Sequence, residues 1–227
     1  MSEAKVIPLD SERRIREKLI SATGTVLARV GFQRLNGELV AREAGVAAGN
    51  IGRCFGSLEG LVDAYGQSDL FWPSAQELMC EVRGSFAKLT PEEQMAAFYK
   101  SLFSALRRRP ETMDILAWEA LERNDLSRRL EEIRVRISLE YFENLQGEIP
   151  DGADLSAIVA LLAGAIQFLA ARSRRSKSFG GIDLSSEKGR QRIDCAIDSL
   201  VKGSFASSGG CSEADPGFYS GQSPRGF

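Results

Sequence analysis

"AREAGVAAGNIGRCFGSLEGL", residues 41–61, decides how this chain is read. Its small and apolar residues fit two short helices joined by a tight turn. Ala41 lets the second helix cross closely, Gly45 permits a turn at positive φ, and β-branched Ile51 seals the small core between them. Val40 and Val46 complete that core. Asn36 is placed to cap the first helix, 37–44. The second runs from about Ala48 to Phe55, and Ser57 caps a longer helix carrying Leu61, Val62, Tyr65 and Leu70. The second helix is unusual in composition: it has Gly52 in its middle, a single arginine, Arg53, and neither histidine nor tyrosine.

Working outward, nearly every segment reads as helix. Residues 11–30 place Ile15, Leu19, Ala22, Val26, Leu27 and Val30 on one stripe. Gly31 is a C-cap from which Phe32 packs back. An amphipathic helix before the motif and another after it favour a helix-turn-helix over two surface helices of an arbitrary bundle. Thr90-Pro91-Glu92-Glu93 is a helix start, and Pro110 opens the next helix. A long amphipathic helix runs to about Leu145. "QGEIPDGAD" is a turn cluster, followed by helix 154–173, a polar loop and helix 187–205. Residues 207–227, rich in Gly, Ser and Pro, are expected to be a disordered tail. The expectation is an all-α fold of about nine helices, with no convincing strand.

Composition excludes more than it selects. The 227 residues contain no histidine, so the commonest general base and any Cys/His zinc site are absent. Cys54, Cys80, Cys195 and Cys211 are scattered, without a CxxC pair, which suits lone thiols in a reducing cytoplasm and no metal site. No phosphate loop or catalytic constellation is present, and the paired acids Glu131/Glu132 and Glu140/Glu143 fit solvated helix faces. No enzyme and no cofactor are expected. The apolar run 157–171 contains Gln167, is short for a bilayer span and reads as a buried helix, so no membrane is expected either. Residues 13–65 carry eight Lys/Arg against five Asp/Glu, within a chain of net charge −2. A basic end on an acidic body suits phosphate.

Residues 13–65 resemble the N-terminal domain of TetR/AcrR-family transcriptional regulators. The family pattern A-G-V-S-x-G-T-[LIV]-Y-x-[HY]-F-x-[SN]-K-x-x-L is met at Ala44, Gly45, Val46, Gly49, Ile51, Phe55, Ser57 and Leu61. "RRPETMDILAWEALERNDLSRRLEE" and "FGGIDLSSEKGRQRIDCAIDSLV" are similar to the family's C-terminal domain, more loosely. The resemblance implies a helix-turn-helix domain at 11–57 and a ligand-binding and dimerisation domain at 58–206. Every match shapes the scaffold, whereas the departures fall where such proteins touch DNA. Ala47 stands where the family has serine, Asn50 for threonine, Gly52 for tyrosine, Cys54 for histidine or tyrosine, and Leu58 for lysine. Losing a lysine removes one released counterion, and losing neutral donors weakens positioning on the backbone.

The residues left to meet a palindromic double-stranded operator are Arg13, Arg14 and Arg16 in an N-terminal arm, Arg42, Asn50 and Arg53, with small Ala47 and Ala48 letting the helix sit deep. A lipophilic effector is expected in a cavity near Phe98, Phe103, Trp118, Tyr141 and Phe142, with Asp114 and Glu119 as the nearby ionisable groups. Leu161, Gly164, Ala165 and Phe168, with Ile193, Ile197 and Leu200, are expected to pair two copies into a homodimer. The implied function is a ligand-responsive, cytoplasmic repressor. The alternative is a TetR-like small-molecule sensor that has lost sequence-specific DNA binding and acts through protein partners.

Overall fold

The structure, a computed structural model, describes residues 9–80, 88–143 and 155–206. These form ten helices and one minimal hairpin. The helices are α1 (Leu9–Val30), α2 (Gly37–Ala44), α3 (Gly49–Phe55), α4 (Leu58–Gly66), α5 (Ala75–Cys80), α6 (Pro91–Arg107), α7 (Pro110–Glu119), α8 (Asp125–Glu143), α9 (Leu155–Ser173) and α10 (Glu187–Ala206). The expected tail beyond residue 206 and the 146–154 turn cluster lie outside the described residues.

Local chemistry starts and stops these helices largely where it should. At Thr90 a full capping box forms: Thr90 Oγ1 accepts the Glu93 N–H, and the Glu93 carboxylate accepts the Thr90 N–H. Proline then occupies the first turn of α6 and of α7, where its missing N–H has no helical partner to lose. The α1 stripe holds at its centre, with Leu19, Ala22, Val26 and Leu27 buried and Ile15 and Val30 half-buried at the ends.

Packing joins the elements into one core. Helix α1 lies against α2, α3, α4 and α7, and α4 also packs on α8. Helix α6 is the hub of the C-terminal half. It touches α5, α7, α9 and α10 and buries Phe98, Tyr99, Leu102, Phe103 and Leu106 along its length. Each such large side chain contributes about 1.5–3 kcal/mol through removal from water.

Three expectations are corrected. Helix α4 stops at Gly66, and Leu70 sits exposed in the following turn rather than on the helix. The stop falls where α8 crosses: a Cβ on Gly66 would lie 2.6 Å from Ile133. The segment read as a polar loop contains strands β1 (Ser178–Phe179) and β2 (Ile182–Asp183), antiparallel and joined by Gly180-Gly181 at φ 56° and 74°. Two positive-φ residues make the turn whose twist matches paired strands, and the Gly-Gly signal was legible in the sequence. Helix α9 is not buried as a whole. Leu162, Ile166 and Ala170 face the core, while Leu161 is 74% and Phe168 51% exposed.

Candidate nucleic-acid interface

The motif at 36–61 is built almost entirely from short-range contacts. Asn36 Oδ1 accepts the Leu39 N–H at 3.0 Å and starts α2. At its other end Gly45 adopts φ 65°, its N–H reaching the Arg42 carbonyl at 3.2 Å while the Val46 N–H reaches Ala41 at 3.0 Å. This paired closure is a Schellman motif, and it fixes the angle at which α3 departs. Ile51 is buried against α2: a Cβ on Gly37 would sit 3.2 Å from Ile51 Cδ1. Ser57 Oγ then accepts the Gly60 N–H to start α4. Gly60 is obligatory there, because a Cβ would come within 2.2 Å of the Phe55 carbonyl oxygen.

On this frame Arg42, Ala47, Ala48, Gly49, Gly52 and Arg53 are exposed and Asn50 is half-exposed. Arg42 and Arg53 form no ion pair among the described residues, which leaves both guanidinium groups available to phosphate or a base edge. Asn50 turns its Nδ2 back to the Ala47 carbonyl at 3.0 Å, so its Oδ1 is the group left to be read. Ala48 occupies the N-cap position of α3 with no side-chain hydrogen bond, the bond a serine or threonine would have supplied.

The expected basic arm divides. Arg14 is exposed and without an ion pair among the described residues, but Arg13 is paired with Glu17 at 2.9 Å. Arg16 is occupied: it donates to the Cys54 carbonyl and lies 4.3 Å above the Phe55 ring. It clamps α1 to the C-terminal end of α3, where a cation also complements the helix dipole. Leu58, at the position where the family carries lysine, packs against the core instead of reaching outward.

The helix-turn-helix domain is bolted to the body by contacts no sequence pattern disclosed. Trp118 of α7 donates its indole N–H to the Ala28 carbonyl at 2.9 Å. Glu122, just beyond α7, accepts the backbone N–H groups of Phe32 at 2.6 Å and Gln33 at 3.0 Å, in the corner between α1 and α2. Asp63 of α4 meets Arg129 of α8 at 2.7 Å. A further pair joins α5 to the end of α6, where Arg109 holds Glu77 at 2.5 Å with Arg108 alongside. Burial alone would raise the Glu77 carboxyl, but hydrogen bonds and charge from the two arginines outweigh it and hold the group below its ordinary range.

The aromatic residues expected to enclose an effector are not brought to one cavity. Phe98, Tyr141 and Phe142 pack ring to ring, with centroids 4.7–5.8 Å apart, and the Tyr141 hydroxyl donates to the Gln94 carbonyl. Phe103 is buried on α6, and Trp118 serves the bolt to α1. A cavity of about 520 Å³ lies instead between α7, α8 and α9, floored by Leu116, Ala117, Ala120, Gly164, Phe168 and Ala171. At its edge Glu119 and Arg134, each about nine-tenths buried, form a two-pronged ion pair at 2.7 and 2.8 Å. None of the five expected residues lines it.

No family model matches the chain, and no curated protein matches it. Solved structures do. The transcriptional regulator FadR from Bacillus subtilis, in complex with stearoyl-CoA, superposes with a TM-score of 0.58 at 18% identity, covering 85% of this chain and 98% of that one. The fatty acid degradation regulator FadR from Bacillus halodurans gives 0.55 at 16% identity, covering 82% and 97%. A TetR family transcription regulator from Marinobacter aquaeolei VT8 gives 0.55 at 15% identity, covering 87% and 96%. The chain has the TetR fold.

Within the TetR fold the two final helices turn several apolar residues outward. Leu161, Gly164, Ala165 and Phe168 of α9 and Leu200 of α10 are exposed. Ile193 and Ile197 are not available for a dimer contact and are corrected here. They are 5% and 3% exposed, because the Ile193, Ile197, Val201 and Phe205 stripe at every fourth residue faces inward, and α10 packs on α6. Sequence periodicity finds such a stripe but not the partner it meets. The outward face of α10 carries Ala196 and Leu200 instead.

Proposed function

We propose that this chain is a homodimeric transcription regulator that binds double-stranded DNA through α2 and α3 and responds to a small lipophilic effector. Its reading head is 11–57 and its sensing and pairing body 58–206. It acts in the cytoplasm as a repressor at a palindromic operator, without a cofactor. The observation that carries this reading is Arg42 and Arg53, exposed and without an ion pair among the described residues, on a helix-turn-helix whose turn and whose α2 and α4 caps are in place. Arg13, Arg14, Ala47, Ala48 and Asn50 complete the proposed contact set. The exposed apolar residues Leu161 and Leu200 support pairing, since a face of this kind is ordinarily covered. Helix α9 is long and apolar enough to cross a membrane by composition, but its Leu162, Ile166 and Ala170 are committed to the core. The B. subtilis structure with stearoyl-CoA supports a lipophilic effector for this fold.

Binding is tested by selecting duplexes from a random pool and titrating the winner against salt. With Arg14, Arg42 and Arg53 from each of two protomers meeting phosphates, log K falls with log[salt] at a slope of about −5. A palindromic consensus with half-sites about one DNA turn apart is expected. No selected sequence, and no binding even at low salt, would overturn the regulator reading. It would favour the second one, a sensor that acts through protein partners, which the loss of anchoring groups at Ala47, Gly52, Cys54 and Leu58 motivates.

A further inference from the structure

The cavity between α7, α8 and α9 has an apolar floor, yet four arginines and a single carboxylate line it: Arg123, Arg134, Arg172 and Arg175 against Glu119. That is an excess of three positive charges in a chain whose net charge is −2. Two of the four are spoken for. Arg134 is neutralised by the Glu119 pair, and Arg123 meets Glu131 at 2.6 Å. Arg172 and Arg175 are exposed and form no ion pair among the described residues, while the intervening Arg174 turns away to Asp114. A cation in the last turn of α9 also suits the helix dipole, which accounts for Arg172 but not for Arg175, beyond the helix end.

The placement follows from one helical face. Gly164, Phe168, Ala171 and Arg175 recur at intervals of four, three and four residues, and Arg172 lies four beyond Phe168, so α9 presents small and aromatic residues to the cavity and then two cations at its mouth. A volume of about 520 Å³ is within the range of small-molecule sites. An apolar ligand alone would leave both guanidinium groups facing solvent beside it. A free anion alone would have no use for the floor.

We propose that this cavity takes an amphiphilic anion, its aliphatic chain against the α7 and α9 floor and its carboxylate or phosphate against Arg172 and Arg175. The inference rests on the effector-responsive reading for its regulatory meaning, and it replaces the neutral lipophile expected from the sequence. Leu116, Ala117 and Glu119 line the cavity from the same helix whose Trp118 holds Ala28 of the reading head. Occupancy is therefore felt one residue away from the bolt between body and head.

The test is calorimetric titration of the full-length protein, without DNA, with dodecanoate, dodecyl phosphate, dodecanol and inorganic phosphate below micellar concentrations. At least one of the two anions binds at one per protomer, with dodecanol at least tenfold weaker and inorganic phosphate undetectable. Binding of dodecanoate alone assigns a fatty carboxylate, binding of dodecyl phosphate alone a phosphorylated lipid, and either sustains the proposal. The exposed pair change Arg172→Gln with Arg175→Gln lowers anion affinity at least tenfold and leaves dodecanol unchanged. Ala171→Leu, at a cavity-lining position outside the expected pairing face, fills the cavity and removes both kinds of binding. Equal affinity for dodecanol, anion binding indifferent to the arginine pair, or no anion binding at all would overturn it. Because DNA is absent, a chain that binds the anion but no duplex sinks the regulator reading alone, and the reverse result sinks this one alone.

Discussion

Gly52 is the residue on which two physical accounts of the reading head part company, and Gly52→Ala separates them. Helix α3 has seven residues, no side-chain N-cap and glycine at its fourth position. Nothing in the fold asks for that glycine. It is helical, exposed, and a Cβ built on it meets no atom within 4 Å. Alanine should therefore stabilise α3 by about 0.5–1 kcal/mol, the propensity difference between the two residues. In native-state hydrogen exchange that appears as roughly two- to fivefold slower exchange of the amides that bond across the second turn of α3.

DNA binding then reports why the glycine is there. If it is merely a lost tyrosine, a better-ordered α3 binds the selected duplex as well as before, or up to about fivefold tighter, because less ordering is left to binding. If instead Gly52 admits the DNA backbone at close range, the same methyl group lowers affinity tenfold or more while the free protein becomes more stable. Unchanged or faster exchange in the variant would refute the reasoning itself, since it would mean the open space around Gly52 is filled in solution.

Other perturbations test the body. Glu119→Ala strands Arg134 and should cost about 3–5 kcal/mol in denaturant melts, whereas Glu119→Leu with Arg134→Met should cost markedly less; equal losses would show that the pair is not a desolvated unit. Glu122→Ala leaves the Phe32 and Gln33 N–H groups without their acceptor, about 1–3 kcal/mol, so their amide exchange should accelerate at least about fivefold with little change in α10; uniform change along the chain would argue against a local bolt. The Glu77 carboxyl lies below its ordinary value when folded, so its contribution to stability is present above that value and is lost as pH falls through the lower, folded-state one. Glu77→Gln should flatten the acid limb of the stability profile, and an unaltered limb would remove Glu77 from that role. Leu161→Glu with Leu200→Glu should give a folded monomer by light scattering with unchanged helical content; a persisting dimer would move the pairing surface elsewhere.

Much of the fold was legible because it is written in local chemistry. Asn36, Gly45, Ser57 and the Thr90-Pro91 start act over four or five residues, and the structure uses each as its side chain dictates. The motif at 41–61 was legible for the same reason: Ala41, Gly45 and Ile51 make their core within fifteen residues of one another. Where reading failed, the deciding partner lay far along the chain. Periodicity put Ile193 and Ile197 on a stripe but could not say that α6, rather than a second copy, would meet it. It gathered Phe98, Trp118 and Tyr141 by proximity in sequence, while packing sent Trp118 to Ala28 and left the cavity to small residues of α7 and α9.

The sequence by itself determined where most helices begin and that a helix-turn-helix would form, because caps, turns and short spacings are satisfied by neighbours. Tertiary structure decided which arginines have partners among the described residues, separating Arg14, Arg42, Arg53, Arg172 and Arg175 from Arg16, Arg109 and Arg134. A guanidinium group's role depends on whether a carboxylate or carbonyl reaches it in the folded chain, and only the packing of distant helices settles that.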